Sequence, residues 1–205
     1  MTDAVEIVSD LVKIPSVSPF GRNETERRER FERCREVLAY LEEFLQKQGA
    51  QTEQLVFEGG HDKWWYPVPN LYAELTIGNR KAARHKFLCY MGHIDVVPVG
   101  EEKLWRRPPF SGQVDEGFVW GRGATDMKGS VGAWMSALEK LKVGKGDGVN
   151  LTIGTLITGD EEWAAVNGSD KVLAWMKANG KNPDAFIVGE PSSRDYLGTH
   201  VKTGR

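Results

Sequence analysis

One histidine and five carboxylates lie at the ends of predicted strands or beside a predicted helix. Side chains of these types can together bind a metal ion and transfer protons. They are His93, Asp95, Asp126, Glu161, Glu162 and Glu190. Carboxylates that are brought together in a partly buried site repel one another and resist desolvation. A divalent metal ion would turn that repulsion into attraction, and hydrolytic zinc sites combine nitrogen and oxygen ligands with a general base. The set therefore indicates a metal-dependent hydrolase.

Each motif taken alone also has a second interpretation. The segment His93-Ile94-Asp95 places two side chains on one face of an extended chain, about 6.6 Å apart, but could be a surface pair. Asp126 lies at a loop-to-helix junction and could be only a helix N-cap. The acidic run 160–162 could be a solvated loop, and Glu190 a turn carboxylate. We favour a metal site because four independent acidic strand ends on one sheet would be a coincidence.

Lys128, two residues after Asp126, is interpreted as a solvated charge or as a supporting charge near the site, and not as a catalyst.

The elements that would position these residues alternate between helices and strands. Apolar residues at i, i+3, i+4 spacing predict helices at 4–13, 24–48, 127–141 and 169–179, with Asp3 and Ser169 as N-caps. Strands are predicted at 54–56, 71–77, 86–91, 151–158 and 185–188, the last one buried, with a hairpin around 114–120. The proline-containing segment 14–19 is predicted as a loop.

This alternation predicts an α/β fold with a largely parallel mixed sheet flanked by helices. Ligands of such sheets bind beyond the carboxyl ends of the strands. His93, Glu161 and Glu190 follow predicted strands, so the candidate site falls at that edge.

Composition excludes several other classes of protein. The 205 residues are 40% hydrophobic and 27% charged, with a net charge of -2, which points neither to nucleic acid nor to an anionic membrane. No apolar run approaches the length of a membrane span, and the first residues do not resemble a signal peptide. Cys34 and Cys89 lie on separate predicted elements, so we expect no disulfide and a reducing, cytoplasmic location.

Four stretches resemble the zinc-dependent aminoacylase/carboxypeptidase family of metallohydrolases, which hold two metal ions per site. They are residues 90–98, 105–110, 121–129 and 158–162. Residues 189–193 and 201–205 are most similar to the branch of the family that removes succinyl groups from amino acids. The resemblance covers nearly all of the chain, and it implies a zinc-peptidase-like catalytic domain.

The resemblance also implies a ligand set. His93, Asp126 and Glu190 would bind a first zinc ion, and Asp126 would bridge to a second zinc ion that Glu162 also holds. Two zinc ions would occupy a complete site, with cobalt or manganese as substitutes. In the family, a later histidine completes the second zinc site, and no residue is assigned to that role here.

The implied reaction is hydrolysis of the amide bond of a small N-acyl amino acid. Asp95 would orient His93, and Glu161 would be the general base that takes a proton from a water held between the two zinc ions. Related deacetylase, aminoacylase or carboxypeptidase activities remain open, as does a non-catalytic metal-binding relic.

The family pattern further implies a longer protein. Residues 1–197 would be the N-terminal portion of the catalytic metal-binding domain, incomplete at its C-terminus, and residues 198–205 the start of a crossing to a dimerisation domain. The full-length protein would be a homodimer. We expect little activity from the 205 residues alone.

Overall fold

The structure is a computed structural model that describes residues 3–18, 21, 23–59, 66–141 and 148–192. Its helices are α1 (Ala4–Lys13), α2 (Glu24–Lys47), α3 (Gly129–Lys140) and α4 (Ser169–Ala178). Its strands are β1 (Gln51–Gly59), β2 (Tyr66–Ile77), β3 (Lys86–His93), β4 (Gln113–Asp115), β5 (Phe118–Trp120), β6 (Leu151–Thr158) and β7 (Ala185–Val188).

The first two helices begin and end where short-range chemistry predicts. The Asp3 side chain accepts a hydrogen bond from the Val5 amide at the start of α1, as expected of an N-cap. At the start of α2, the Asn23 side chain accepts from the Glu26 amide in the same way. Gly49, just past the end of α2, has a φ of 85°, a conformation that glycine adopts without strain.

The main sheet has five strands in the order β1-β2-β6-β3-β7. Strand β2 is antiparallel to both β1 and β6, while β6, β3 and β7 are parallel to one another. Four of the five strands therefore run in one direction, and the predicted α/β class with a largely parallel mixed sheet is confirmed. The hairpin of β4 and β5 forms a separate two-stranded sheet, also as predicted.

Apolar side chains cover both faces of the sheet. The larger core cluster joins α1, α2 and α3 to one face, with Leu11, Leu38 and Val131 among its buried members. A smaller cluster packs Val172 and Met176 of α4 against the other face. Cys34 and Cys89 are buried and free, as expected.

Several predicted boundaries are corrected by the structure. Strands β1 and β2 are longer than the predicted 54–56 and 71–77, because their pairing extends the ladder from Gln51↔Glu74 to Gly59↔Tyr66. Strand β3 includes His93, which pairs with Thr158, so this histidine belongs to the strand.

Two further expectations about local structure are wrong. Ser169 is the first residue of α4, and Gly168 occupies the N-cap position without a side-chain cap. Strand β7 was expected to be buried, but all four of its residues are exposed. It is an edge strand that hydrogen-bonds to β3 alone within the described chain. Its apolar residues therefore do not indicate that the strand is buried. Residues 198–205 lie outside the described residues.

Candidate metal centre

Parallel pairing brings three of the predicted site segments to one edge of the sheet. His93 lies level with Thr158 at the end of β6, so the acidic loop that follows β6 begins beside it. Met91 pairs with Val188, which puts Glu190, two residues farther along, level with His93. The register therefore places residues from three separate strand ends within reach of one another.

His93 is the centre of this arrangement and is 1% exposed. Its Nδ1 donates a hydrogen bond to the main-chain oxygen of Asp95 at 2.9 Å, because a carbonyl oxygen can only accept. Its Nε2 lies 3.0 Å from Glu190 Oε1 and 3.2 Å from Asp126 Oδ1. The potential ligand atoms of these three residues all lie within 4.8 Å of one another.

This geometry fits a metal ion. With its proton on Nδ1, the imidazole turns the lone pair of Nε2 toward two carboxylate oxygens. Such a meeting of electron-pair donors is favourable only if a cation lies between them, either a proton or a metal ion. One nitrogen and two carboxylates also form a ligand set that zinc accepts in proteins.

The surrounding charges favour the protonated form of His93 when no metal is bound. Burial alone would lower the pKa of this histidine, but Asp95, Glu161 and Glu190 together raise it to about 9. A metal ion therefore competes with a proton at this nitrogen.

Asp126 reaches the site from an irregular turn before α3. The turn spans Ala124–Lys128, and Asp126 has φ -119° and ψ 102°, far from helical values. The N-cap position of α3 is held by Lys128, so the interpretation of Asp126 as a helix cap is wrong. The peptide bond between Asp126 and Met127 is cis. Gly123 begins the turn at φ 83°, where a Cβ would come within 2.6 Å of Val96.

Lys128 is buried completely, so its interpretation as a solvated charge is wrong. Its ammonium donates hydrogen bonds to the main-chain oxygens of Leu11 and Ile14, each at 2.8 Å. Burial lowers the pKa of Lys128 to about 7, against the opposite effects of Cys34 and Asp95. Lys128 thus connects two parts of the chain: the turn that contains Asp126 and the C-terminal end of α1. The dipole of α1 attracts a cation at that end.

Glu161 and Glu162 lie on the loop after β6, at the edge of the site. Glu161 Oε2 is 3.8 Å from His93 Nε2, and its side chain is half exposed. Burial, with repulsion from Glu190, Asp95 and Asp126, raises the pKa of Glu161 although His93 lowers it.

The carboxylate of Glu162 does not belong to the group that converges on His93 Nε2. Burial is the main cause that raises its pKa to about 7, and repulsion from Asp126, Asp95 and Glu161 adds to it against the effect of His93. The structure therefore brings His93, Asp126 and Glu190 together and leaves Glu162 beside them.

Asp95 contacts His93 mainly through its main chain, since its carboxylate Oδ1 is 3.5 Å from Nδ1. The carboxylate instead accepts hydrogen bonds from the amides of Glu161 and Glu162 and from the hydroxyl of Ser18. This second function of Asp95 was not expected from the sequence.

A cavity of about 150 Å³ opens beside these groups, and its lining includes His93, Glu161, Glu190, Met127 and Ser169. The sulfur of Met127 also accepts a hydrogen bond from the His93 amide at 3.2 Å. From the sequence, Met127 and Ser169 are expected only as helix residues. Met127 directly follows Asp126, and Ser169 comes shortly after Glu162. This closeness in sequence was the one signal that could have linked the two residues to the site.

None of the helices in the described part of the chain combines the length and the apolar character that a membrane crossing requires.

Comparison with known proteins places this chain in one family. Residues 89–202 match the sequence pattern of the family described as Peptidase family M20/M25/M40, which is more than half of the chain. The chain therefore belongs to this family of peptidases, and the family resemblance of the sequence is confirmed.

Particular relatives narrow the comparison. The chain is 37% identical over 199 residues to succinyl-diaminopimelate desuccinylase from Xanthobacter autotrophicus, an alignment that covers 97% of this chain and 46% of the relative. The M20 family metallo-carboxypeptidase Sso-CP2 from Sulfolobus solfataricus is 26% identical, with a TM-score of 0.68 over 94% of this chain and 38% of that one. Human carnosine dipeptidase 1 shares the fold, with a TM-score of 0.73 and 24% identity over 93% of this chain and 38% of that one. The chain spans about half the length of the curated relative that it matches.

Proposed function

We propose that these residues form the metal-binding part of a zinc-dependent amide hydrolase. The convergence of one imidazole nitrogen and two carboxylates carries the proposal, with His93 Nε2 at 3.0 Å from Glu190 and 3.2 Å from Asp126. Membership of the peptidase family supports it, since peptide bonds are amides.

In this proposal His93, Asp126 and Glu190 would hold a first zinc ion, and Asp126 and Glu162 would hold a second. When bound, zinc would act as a Lewis acid that polarises the amide carbonyl and makes a nearby water a better nucleophile. Cobalt or manganese would be acceptable substitutes in a site made of nitrogen and oxygen ligands.

Glu161 is the proposed general base. Its side chain is half exposed beside His93, so both water and a substrate can reach it. The carboxylate takes a proton from water as the water oxygen bonds to the amide carbon. It then gives that proton to the nitrogen as the carbon–nitrogen bond breaks.

The proposed substrate is a small N-acyl amino acid, and N-succinyl-diaminopimelate is the first candidate. Its hydrolysis would yield succinate and diaminopimelate, a step of lysine biosynthesis. The 37% identity to a desuccinylase over nearly the whole chain supports this choice. Substrates of deacetylases, aminoacylases and carboxypeptidases are the alternatives against which N-succinyl-diaminopimelate is to be compared. The complete enzyme is proposed to be a homodimer.

A zinc titration of the chain by calorimetry tests the metal sites. We expect one tight zinc ion and a second, weaker one, because the second has only two assigned ligands, Asp126 and Glu162. His93→Ala should abolish the tight binding, and Glu53→Gln, an exposed position on β1, should leave it unchanged. Absence of tight zinc binding in the unaltered chain would refute the proposal.

Succinate release from N-succinyl-diaminopimelate tests the chemistry. We expect very weak release from the 205 residues. Glu161→Gln should retain the tight zinc ion and reduce any release at least about 100-fold, the usual contribution of a general base. Loss of zinc in this variant would show that Glu161 is a ligand. Tight zinc binding with no release from any of the candidate substrates would favour a metal-binding relic.

A further inference from the structure

The carboxylate of Asp95 lies at the exit from β3 and is fully buried. Both of its oxygens accept from the Glu161 amide, at 3.1 and 3.2 Å, and Oδ2 also accepts from the Glu162 amide at 3.0 Å. One buried carboxylate therefore holds the main chain of two neighbouring residues. Their own side chains are acidic and repel each other, which raises the pKa of Glu162 in addition to the effect of burial.

The hydroxyl of Ser18 donates a further hydrogen bond to this carboxylate, at 2.8 Å to Oδ2. Ser18 is 2% exposed, so its hydroxyl has little access to water as an alternative partner. A charge-assisted bond of this kind is stronger than one between neutral groups and fixes the direction of the acceptor.

The main chain around Ser18 is itself fixed. Segment 16–18 runs parallel to the chain that leaves β3, through a bridge between Val17 and Val96. The Ser18 amide donates to the Val96 oxygen at 3.0 Å, and the Val96 amide donates to the Ser16 oxygen at 2.9 Å. The sequence predicted only a loop here, but the segment is a strap anchored next to Asp95.

We propose that Ser18 is a positioning residue for the loop that carries Glu161 and Glu162. It holds the carboxylate of Asp95 in one orientation, and that carboxylate holds the two amides. The directions of the proposed base and of the proposed second zinc ligand follow from the main chain that is held. The assignment of Glu161 as base and Glu162 as zinc ligand rests on the proposed function. The hydrogen bonds among Ser18, Asp95 and the two amides do not depend on it.

Ser16 provides a matched control on the same strap. It is also fully buried, and its hydroxyl donates to the main-chain oxygen of Ile94 at 2.6 Å. Removing either hydroxyl deletes one buried hydrogen bond, but only Ser18 touches the carboxylate of Asp95. Ser18→Ala and Ser16→Ala should therefore lose similar amounts of overall stability. Only Ser18→Ala should also loosen the loop that carries Glu161 and Glu162.

Amide hydrogen exchange in the zinc-free chain, resolved by residue, tests the proposal. Ser18→Ala should speed exchange at the amides of Glu161 and Glu162 about tenfold relative to the amides of β6, which corresponds to about 1.4 kcal/mol of local opening. Ser16→Ala should leave that ratio unchanged. An unchanged ratio in Ser18→Ala, or an equal rise in both variants, would overturn the proposal.

A zinc titration of the same variants gives a second result. Ser18→Ala should weaken binding of the second, weaker zinc ion several-fold and binding of the tight one much less, since His93, Asp126 and Glu190 do not lie on the loop and His93 is held by the main-chain oxygen of Asp95. Equal weakening of both ions would contradict the assignment. The exchange result does not require zinc or hydrolysis, so failure of the proposed function and failure of this inference give different outcomes.

Discussion

The approach of Gly189 to its neighbours allows a stability change to be calculated from the structure. A Cβ at this position would lie 2.2 Å from Ser130 Oγ, 2.4 Å from Tyr90 Oη and 2.8 Å from Met127 Cε. Contacts between a Cβ and a heavy atom are ordinarily 3.4 Å or longer, so the first two oxygen atoms would have to retreat by about 1 Å each. Gly189→Ala therefore forces the side chains of Ser130 on α3 and Tyr90 on β3 out of their present positions.

The expected cost has three parts. The hydroxyls of Tyr90 and Ser130 are 2.9 Å apart, and losing that hydrogen bond costs about 0.5–1.5 kcal/mol. Overpacking adds about 1–3 kcal/mol. Alanine restricts the backbone of the unfolded chain more than glycine does, and this effect offsets about 0.4–1 kcal/mol of the loss. We therefore expect Gly189→Ala to lower the free energy of unfolding by between about 0.5 and 4 kcal/mol, and to weaken tight zinc binding because Glu190 is the next residue.

Urea denaturation with linear extrapolation measures this loss, and an unchanged m-value would show that the native fold is kept. Adding Ser130→Ala removes the nearest contact, so the double variant should be less destabilised than the sum of the two single changes by about 0.5 kcal/mol or more. A loss below about 0.5 kcal/mol for Gly189→Ala, or strict additivity, would refute the argument.

Two further predictions concern polar groups outside the metal ligands. The Tyr66 hydroxyl donates to both carboxylate oxygens of Asp160, at 3.0 and 3.1 Å, and both residues are 1% exposed. Tyr66→Phe should lower the free energy of unfolding in urea by about 1.5–3 kcal/mol, the range for hydrogen bonds to charged groups. Glu74 is nearly buried; burial raises its pKa, but hydrogen bonds from Tyr72, Arg80 and Lys181 outweigh that effect and hold it below its ordinary value of 4.5. Since the charged form is favoured in the folded state, the stability that Glu74→Gln removes should be greatest above that value and should disappear as the pH falls through the lowered pKa.

Controls for both are available in the chain. Tyr40→Phe on α2 should change stability by less than about 0.5 kcal/mol, because the Tyr40 hydroxyl makes no hydrogen bond to the described residues. An equal effect of the two tyrosine changes would contradict the proposed strength of the Tyr66 bond. For Glu74→Gln, urea midpoints are compared at neutral pH and below pH 4.5, and a difference from the unaltered chain that stays constant across that range would contradict the linkage.

Much of the fold could be predicted from local patterns. Helices α1 and α2 follow from apolar spacing and from the chemistry of their ends, and β6 was predicted with its observed bounds. The candidate ligands could be found because parallel strands expose their carboxyl ends at one edge of the sheet. Strand β7 shows the limit of such patterns, since four apolar residues indicate a strand but do not tell a buried strand from an exposed edge.

By itself, the sequence determined which residues could bind a metal ion and which segments would carry them, because residue type and short-range spacing are local properties. Only the tertiary structure decided that β6 lies between β2 and β3. Only the tertiary structure joined Ser18 to Asp95 across 77 residues and buried Lys128 against α1. Contacts of this kind depend on strand order and register, which set the distance between remote residues and leave no periodic trace in the chain.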